Sequence, residues 1–324
     1  MNNICSTNKL IEMYESLYLI RLAEEKLIEL NPEQLMKCPH HYAIGQEGVA
    51  VGVCSALEKK DQIYSSHRCH GHYLAKGGSL NAFMAEMYNK IDGCTRGKGG
   101  SMHLIDTSVG MMGSHGVVGT MIPIAVGAAL ALKNLKQNNV SVVFFGDGGA
   151  DQGILYESLN FAVLKNLPVI FVCENNGFAS FSKAAERHAQ RDISIRAQSF
   201  GIPSSSIFGQ DVLKVYETMT EAVNKARRGK GPSFIETETY RFKAHCGIEE
   251  DISPHLRTKE ELDKQKESCP INLFEKYMFE NNIIVEKTKK EIIQRKQNEI
   301  NNAVEFGRKS PLPGPEELFK GVFA

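Results

Sequence analysis

The sequence predicts an α/β fold: a doubly wound, mostly parallel sheet with helices on both faces and a helical C-terminal extension. Three observations carry this. Val140–Phe145 and Pro168–Cys173 are short apolar runs that read as buried strands. A helical segment lies between them, and a second helix and strand follow, which is the order of right-handed parallel crossovers. Residues 258–307 are charged and helical, so the sheet ends before them.

From Lys9 onward, Leu10, Met13, Tyr14, Leu17, Leu19, Ile20, Ala23, Leu27 and Leu30 follow helical spacing, predicting an amphipathic helix over 9–30. Residues 31–121 are rich in Gly and His, with short helical patterns such as Leu80–Tyr88 between loops. Long ordered loops of this kind tend to be functional. Val140–Phe145 stops at Gly146, Gln152–Leu164 reads as a helix, and the strand Pro168–Cys173 ends at Glu174-Asn175-Asn176. Asp211 is placed to cap a helix running to Arg228, where Arg227 and Arg228 suit the C-terminal end. Gly229–Pro232 is a turn, Ser233–Tyr240 a third strand, and a Pro-rich tail begins at Pro311. We expect one unit over 1–324, with its helical C-terminal region at 258–324. A chain of 324 residues with 42% hydrophobic content can bury a core of that size.

Lys+Arg and Asp+Glu each number 38, a balance that argues against gripping nucleic acid or an anionic membrane. Met1–Glu25 alternates apolar with charged residues, unlike a signal peptide, and no run reaches membrane-spanning length. The 8 cysteines include no CxxC pair and are expected to be free thiols in a reducing cytoplasm.

Ligands of a parallel sheet sit beyond the carboxyl ends of its strands. Gly146-Asp147-Gly148 and Asn175-Asn176 both fall there, on strands joined by one crossover helix, so Asp147 and Asn176 can converge. A carboxylate and an amide oxygen are hard ligands of the kind Mg²⁺ accepts, with phosphates completing the octahedron. The glycines admit backbone N–H groups, and the helix starting near Gln152 offers its positive end to a diphosphate. A dinucleotide fingerprint fails because Asp151 stands where its third glycine belongs, and a P-loop fails because Gly99 follows Gly97-Lys98. Read singly, each segment is a tight turn or a polar loop; paired across one βαβ unit, they are far more specific.

This pairing resembles thiamine diphosphate enzymes, in which Gly-Asp-Gly and a downstream Asn-Asn bracket the metal. The likeness extends through His41–Gly52 (HYAIGQEGVAVG), Arg68–Gly71 (RCHG), Gly97–His103 (GKGGSMH) and His115–Gly119 (HGVVG). It continues through Gly146–Gly153 (GDGGADQG), Glu174–Asn176 (ENN) and Thr239–Arg241 (TYR) with His245. In order and spacing these resemble the alpha subunit of pyruvate, acetoin and branched-chain 2-oxo acid dehydrogenases. That implies a thiamine diphosphate-binding fold. It implies Mg²⁺ held by the Asp147 and Asn176 side chains and the Phe178 carbonyl, where the family usually has Tyr. Arg68 and His245 would meet the diphosphate, Val118 the aminopyrimidine through its backbone, and Gly146, Gly148 and Gly149 the phosphates. His67 stands where Tyr is common and would line the cofactor. His245 and His115 are the implied catalytic residues, and His41 and His103 share motifs that resemble substrate-side positions.

The resemblance further implies a separate beta subunit that supplies the catalytic Glu, an α2β2 assembly, a small 2-oxo acid or acyloin substrate and a lipoyl acyltransferase as acceptor. A split transketolase, a decarboxylase and a non-catalytic regulatory homologue are the alternatives. Two departures stand out. Asp151 replaces a usual Asn, which leaves the metal ligands intact, and Cys246 replaces the Ser that kinases modify in mitochondrial relatives. The run His67–His72 offers three His and a Cys, but Arg68 among them disfavours zinc.

Overall fold

The computed structural model describes residues 5–253 and 255–321; residues 1–4, 254 and 322–324, including both ends of the expected 1–324 unit, lie outside the described residues. Its strands are β1 (Gln62–Ser66), β2 (Met111–His115), β3 (Ser141–Gly146), β4 (Val169–Asn175), β5 (Phe178–Ala179), β6 (Ser182–Lys183), β7 (Ser204–Phe208) and β8 (Ser233–Glu238). Six form one sheet in the order β2-β1-β3-β4-β8-β7, with every neighbouring pair parallel. β5 and β6 make a separate antiparallel hairpin.

Side chains of a strand alternate between faces, and here the alternation divides two cores. Val142, Phe144, Ile170, Val172 and Ile235 point into one cluster, together with apolar residues of α1 (Thr7–Leu30), α2 (Glu47–Ser55), α3 (His70–Ala75) and α4 (Leu80–Met87). Val143, Phe145, Phe171, Cys173 and Phe234 point into the other, against α5 (Met121–Asn134) and α6 (Gly153–Leu164). The short α7 (Ala184–Arg187) and α8 (Ser194–Gln198) follow β6, and α9 (Val212–Arg227) connects β7 to β8. The C-terminal region holds three helices: α10 (Lys259–Glu267), α11 (Pro270–Glu280) and α12 (Glu286–Lys309). They return to the first helix, where Tyr14 and Tyr18 both donate to Glu275 of α11 at 2.8 Å. Among the described residues no helix is long and apolar enough to cross a membrane.

The stretch 31–121 is more regular than expected, because it holds α2, β1, α3, α4 and β2 as well as loops. Its loops are braced by buried glutamates. Glu24 of α1 accepts from the Ala43 N–H with both oxygens, at 2.9 and 2.8 Å, and from His70 Nδ1 at 2.9 Å. The other ring nitrogen of His70 meets Ser101 Oγ at 2.7 Å. Glu47 accepts from the Gly45 N–H at 3.0 Å and from Arg21 at 2.6 Å. Gly45 has φ +97°, and a Cβ there would stand 2.4 Å from the Tyr240 carbonyl, so this loop requires glycine. Glu86 of α4 collects backbone N–H groups from the Gly-rich loop after it: Thr95 at 2.9, Gly97 at 3.0, Gly99 at 3.0 and Gly100 at 2.9 Å.

Candidate cofactor and metal site

Because the large sheet is parallel, β1, β2, β3, β4 and β8 all deliver their carboxyl ends to one edge. A cleft opens at that edge. Its walls include Gln46, His67, Arg68, Val118, Gly146–Gly149, Glu174, Asn176, Phe178 and His245. Every cofactor and metal residue expected from the sequence is therefore at one cleft. His115 is not among its lining residues. It ends β2 and packs edge-to-face on His103, with ring centroids 5.0 Å apart.

The floor is acidic. Asp147 directly follows β3, and its side chain is 1% exposed. Burial pushes its pKa up, and the neighbouring Arg187 guanidinium, which forms an ion pair with it, pulls the other way. Gly148 has no room for a side chain, since a Cβ would lie 2.7 Å from that of Ala179. The two asparagines divide their work. Asn175 is used by the frame, donating to Glu236 at 2.8 Å and accepting from the Gly177 N–H at 3.1 Å. Asn176 turns to the cleft, donating to Gln46 at 3.2 Å and accepting from the Phe178 N–H at 3.2 Å.

The opposite wall is basic. Arg68 is buried and donates to the carbonyls of Tyr42 at 2.5 Å and His245 at 3.1 Å. Burial and the nearby Arg241 hold its pKa down at about 9. His41, His67 and His245 converge beside it, each offering a ring nitrogen within 4.8 Å of the others. Burial is the first cause that depresses all three imidazoles, with Arg68 among the other causes: His245 to about 4, His67 to about 3 and His41 to about 2. Beside burial, the Arg68 and Arg241 guanidinium groups disfavour the protonated form of His245. The run His67–His72 does not gather around a common point: His70 bonds Glu24 and Ser101, while His72 bonds Ser65 at 2.8 Å and stacks on Phe144.

Two details add to the sequence reading. The cleft is lined by Gly146–Gly149 rather than by the start of α6, because a 3-10 turn, Gly149–Asp151, intervenes. And Asp151 is linked to Asp147 through a shared partner: it pairs with Arg187 and His188, and Arg187 also pairs with Asp147. Three residues outside the expected site set complete the geometry. Gln46 and Glu174 line the cleft, and Arg257 donates to the Asn176 carbonyl at 2.9 Å while packing between the rings of Phe178 and Tyr240. Gln46 was legible within HYAIGQEGVAVG and Glu174 within ENN, each as part of a motif rather than as a site residue.

The depressed histidines give a pH dependence with a definite sign. A group whose folded pKa lies below its unfolded value of 6.5 binds more protons when unfolded, so stability falls as pH drops between the two values. The chain is expected to lose stability on acidification from about pH 6.5 towards pH 4. Replacing His67 with Tyr removes one such group and should flatten that slope. Denaturant titrations at pH 7, 6 and 5 check this; an equal slope in both proteins contradicts it.

An acidic, metal-competent floor facing a cationic wall is the arrangement that a divalent ion and an anionic phosphate group need together. The donors present fit both: a buried carboxylate, an amide side chain, backbone beside glycines, and a buried guanidinium. The profile of the dehydrogenase E1 component family matches residues 14–316. The chain is 39% identical over 315 residues to the alpha subunit of acetoin:2,6-dichlorophenolindophenol oxidoreductase of Bacillus subtilis, covering 97% of this chain and 93% of that protein. It is 39% identical over 320 residues to the chloroplastic pyruvate dehydrogenase E1 component subunit alpha-3 of Arabidopsis thaliana, covering 97% and 74%. It is 35% identical over 313 residues to the pyruvate dehydrogenase E1 component subunit alpha of Rickettsia bellii, covering 97% and 95%.

Proposed function

The chain belongs to the dehydrogenase E1 component family, and from that we propose that it is the alpha subunit of a thiamine diphosphate- and Mg²⁺-dependent 2-oxo acid or acetoin dehydrogenase. The observation that carries this reading is the cleft itself, where Asp147 and Asn176 face Arg68, His67 and His245. Asp147, Asn176 and the Phe178 carbonyl would hold the metal. Arg68 would take a phosphate as a fixed fork of N–H donors, and His245 would add a donor beside it. Gly148 and Gly149 let the backbone approach, and Val118 stands at the mouth for the aminopyrimidine. When bound, thiamine diphosphate supplies the nucleophilic carbon that accepts the substrate carbonyl. This chain binds the cofactor, orients it and offers proton donors near the reacting carbonyl, with His245 first among them. His115 is kept as a candidate there because β2 ends at the same sheet edge.

The carboxylate needed beside the aminopyrimidine comes, on this reading, from a beta subunit in an α2β2 assembly, and the acyl group passes to a lipoyl partner. The cysteine spacing suits the cytoplasm as the compartment. The purified chain should show little turnover of pyruvate, branched-chain 2-oxo acids or acetoin with a dye acceptor. Addition of a beta-type partner should bring turnover that requires thiamine diphosphate and a divalent ion. Full activity of the chain alone, or activity of a cofactor-stripped complex equal to that of the loaded one, would overturn the reading.

A further inference from the structure

Asp147 is not free to meet a cation: Arg187 already forms an ion pair with it, and the same guanidinium pairs with Asp151. Arg187 closes the four-residue α7, on the segment that leaves Asn176 and Phe178 through the β5–β6 hairpin. The element that carries two candidate metal ligands therefore also carries a competing cation. The guanidinium is incompletely satisfied where it lies, because its Nε–H is buried with no acceptor. Asp151 has further partners: it meets His188 as well, and the Arg196 guanidinium stands 3.8 Å away.

Building on the proposed metal site, we infer that Arg187 competes with the divalent ion for Asp147, and that Asp151 is the second anchor that keeps Arg187 when the ion takes Asp147. A divalent ion on either oxygen of Asp147 would lie close to the guanidinium, in a buried place where solvent screens little. Swinging onto Asp151 relieves that repulsion without setting a charged side chain adrift. The departure at 151 thereby acquires a purpose: the Asn usual in relatives offers no charge to hold Arg187. Arg187 and Asp151 are positioning residues, acting on the ion through Asp147.

The test uses Mn²⁺ as the probe, with free ion counted by electron paramagnetic resonance, on the full chain with its beta-type partner. It is run with Mn²⁺ alone and with thiamine diphosphate present. Arg187→Gln should bind Mn²⁺ alone about fivefold or more tightly than wild type, because the competitor is gone. Asp151→Asn should weaken Mn²⁺ about threefold, and that loss should vanish in the Arg187→Gln/Asp151→Asn double variant. Arg187→Met, which keeps the apolar stem, replaces the Gln variant if that does not fold. Equal Mn²⁺ affinity in the Arg187 variant and wild type overturns the competition, and an Asp151 effect that persists in the double variant overturns the anchor. Failure of wild type to take up Mn²⁺ even with thiamine diphosphate overturns the metal site itself, and the inference with it.

Discussion

Asp147→Ala is expected to weaken Mg²⁺-dependent thiamine diphosphate binding by roughly two to three orders of magnitude. Removing one partner of a buried charge pair costs about 3–5 kcal/mol, and each 1.4 kcal/mol is a factor of ten in affinity. The side chain is 1% exposed and sits at the end of a central strand, so solvent offers no substitute oxygen held in the same place. Asp147→Asn keeps the shape and one oxygen but loses the charge, and should fall between wild type and Ala. Calorimetric titration of the assembled complex reads both. If Asp147→Ala binds as well as wild type, Asp147 does not hold the metal.

Glu86→Gln is expected to destabilise the fold by at least about 3 kcal/mol, the larger of the structural effects anticipated. The carboxylate accepts from Thr95, Gly97, Gly99 and Gly100, all at 2.9–3.0 Å, and the residue is 0% exposed. Gln replaces one acceptor oxygen with an NH₂ group, which turns two of these contacts donor against donor. The loop so disordered leads into Ser101, which meets His70, and into His103, which packs on His115. Arg96, within it, forks onto Glu317 at 2.7 Å through two nitrogens, so the C-terminal turn should loosen too. Urea denaturation of Glu86→Gln and wild type measures the loss. A midpoint unchanged within error would show that the loop is held by something else.

What the sequence discloses about this fold depends on how an element is buried. β3 and β4 are covered on both faces and so carry unbroken apolar runs, Val142–Phe145 and Val169–Cys173, which made them plain. α1 and α9 each bury one stripe, and their periodicity gives them away. α2 escaped for the opposite reason: Glu47–Cys54 is buried on every side, so no polar face marks it as a helix. β7 reads SSSIF, a half-exposed edge strand paired only with β8, and its serines resemble a loop. The charged, helical stretch 258–307 holds three helices, divided at Cys269-Pro270, where Pro270 opens a new helix at its first position, and again before Glu286.

The site was legible unevenly, for similar reasons. Asp147 and Asn176 followed from their places at adjacent strand ends, a matter of topology alone. Arg68, His67, His245 and Val118 come from separate loops, and their meeting depended on the family resemblance. Glu24 and Glu86 could not be found: a buried glutamate looks in sequence like any solvated one, and only the N–H groups aimed at it reveal the difference. The ion pair of Asp151 with Arg187 was hidden in the same way, because Arg187 lies on another element.

The account stands most directly on whether this chain supplies the metal-diphosphate half of a thiamine diphosphate site. The deciding measurement is a calorimetric titration of thiamine diphosphate into the full chain with its beta-type partner, once with Mg²⁺ and once with a chelator. Binding of one cofactor per alpha chain that requires Mg²⁺ and is lost in Asp147→Ala is the predicted result. Binding of equal strength in the chelator, or no binding in either condition, would contradict it.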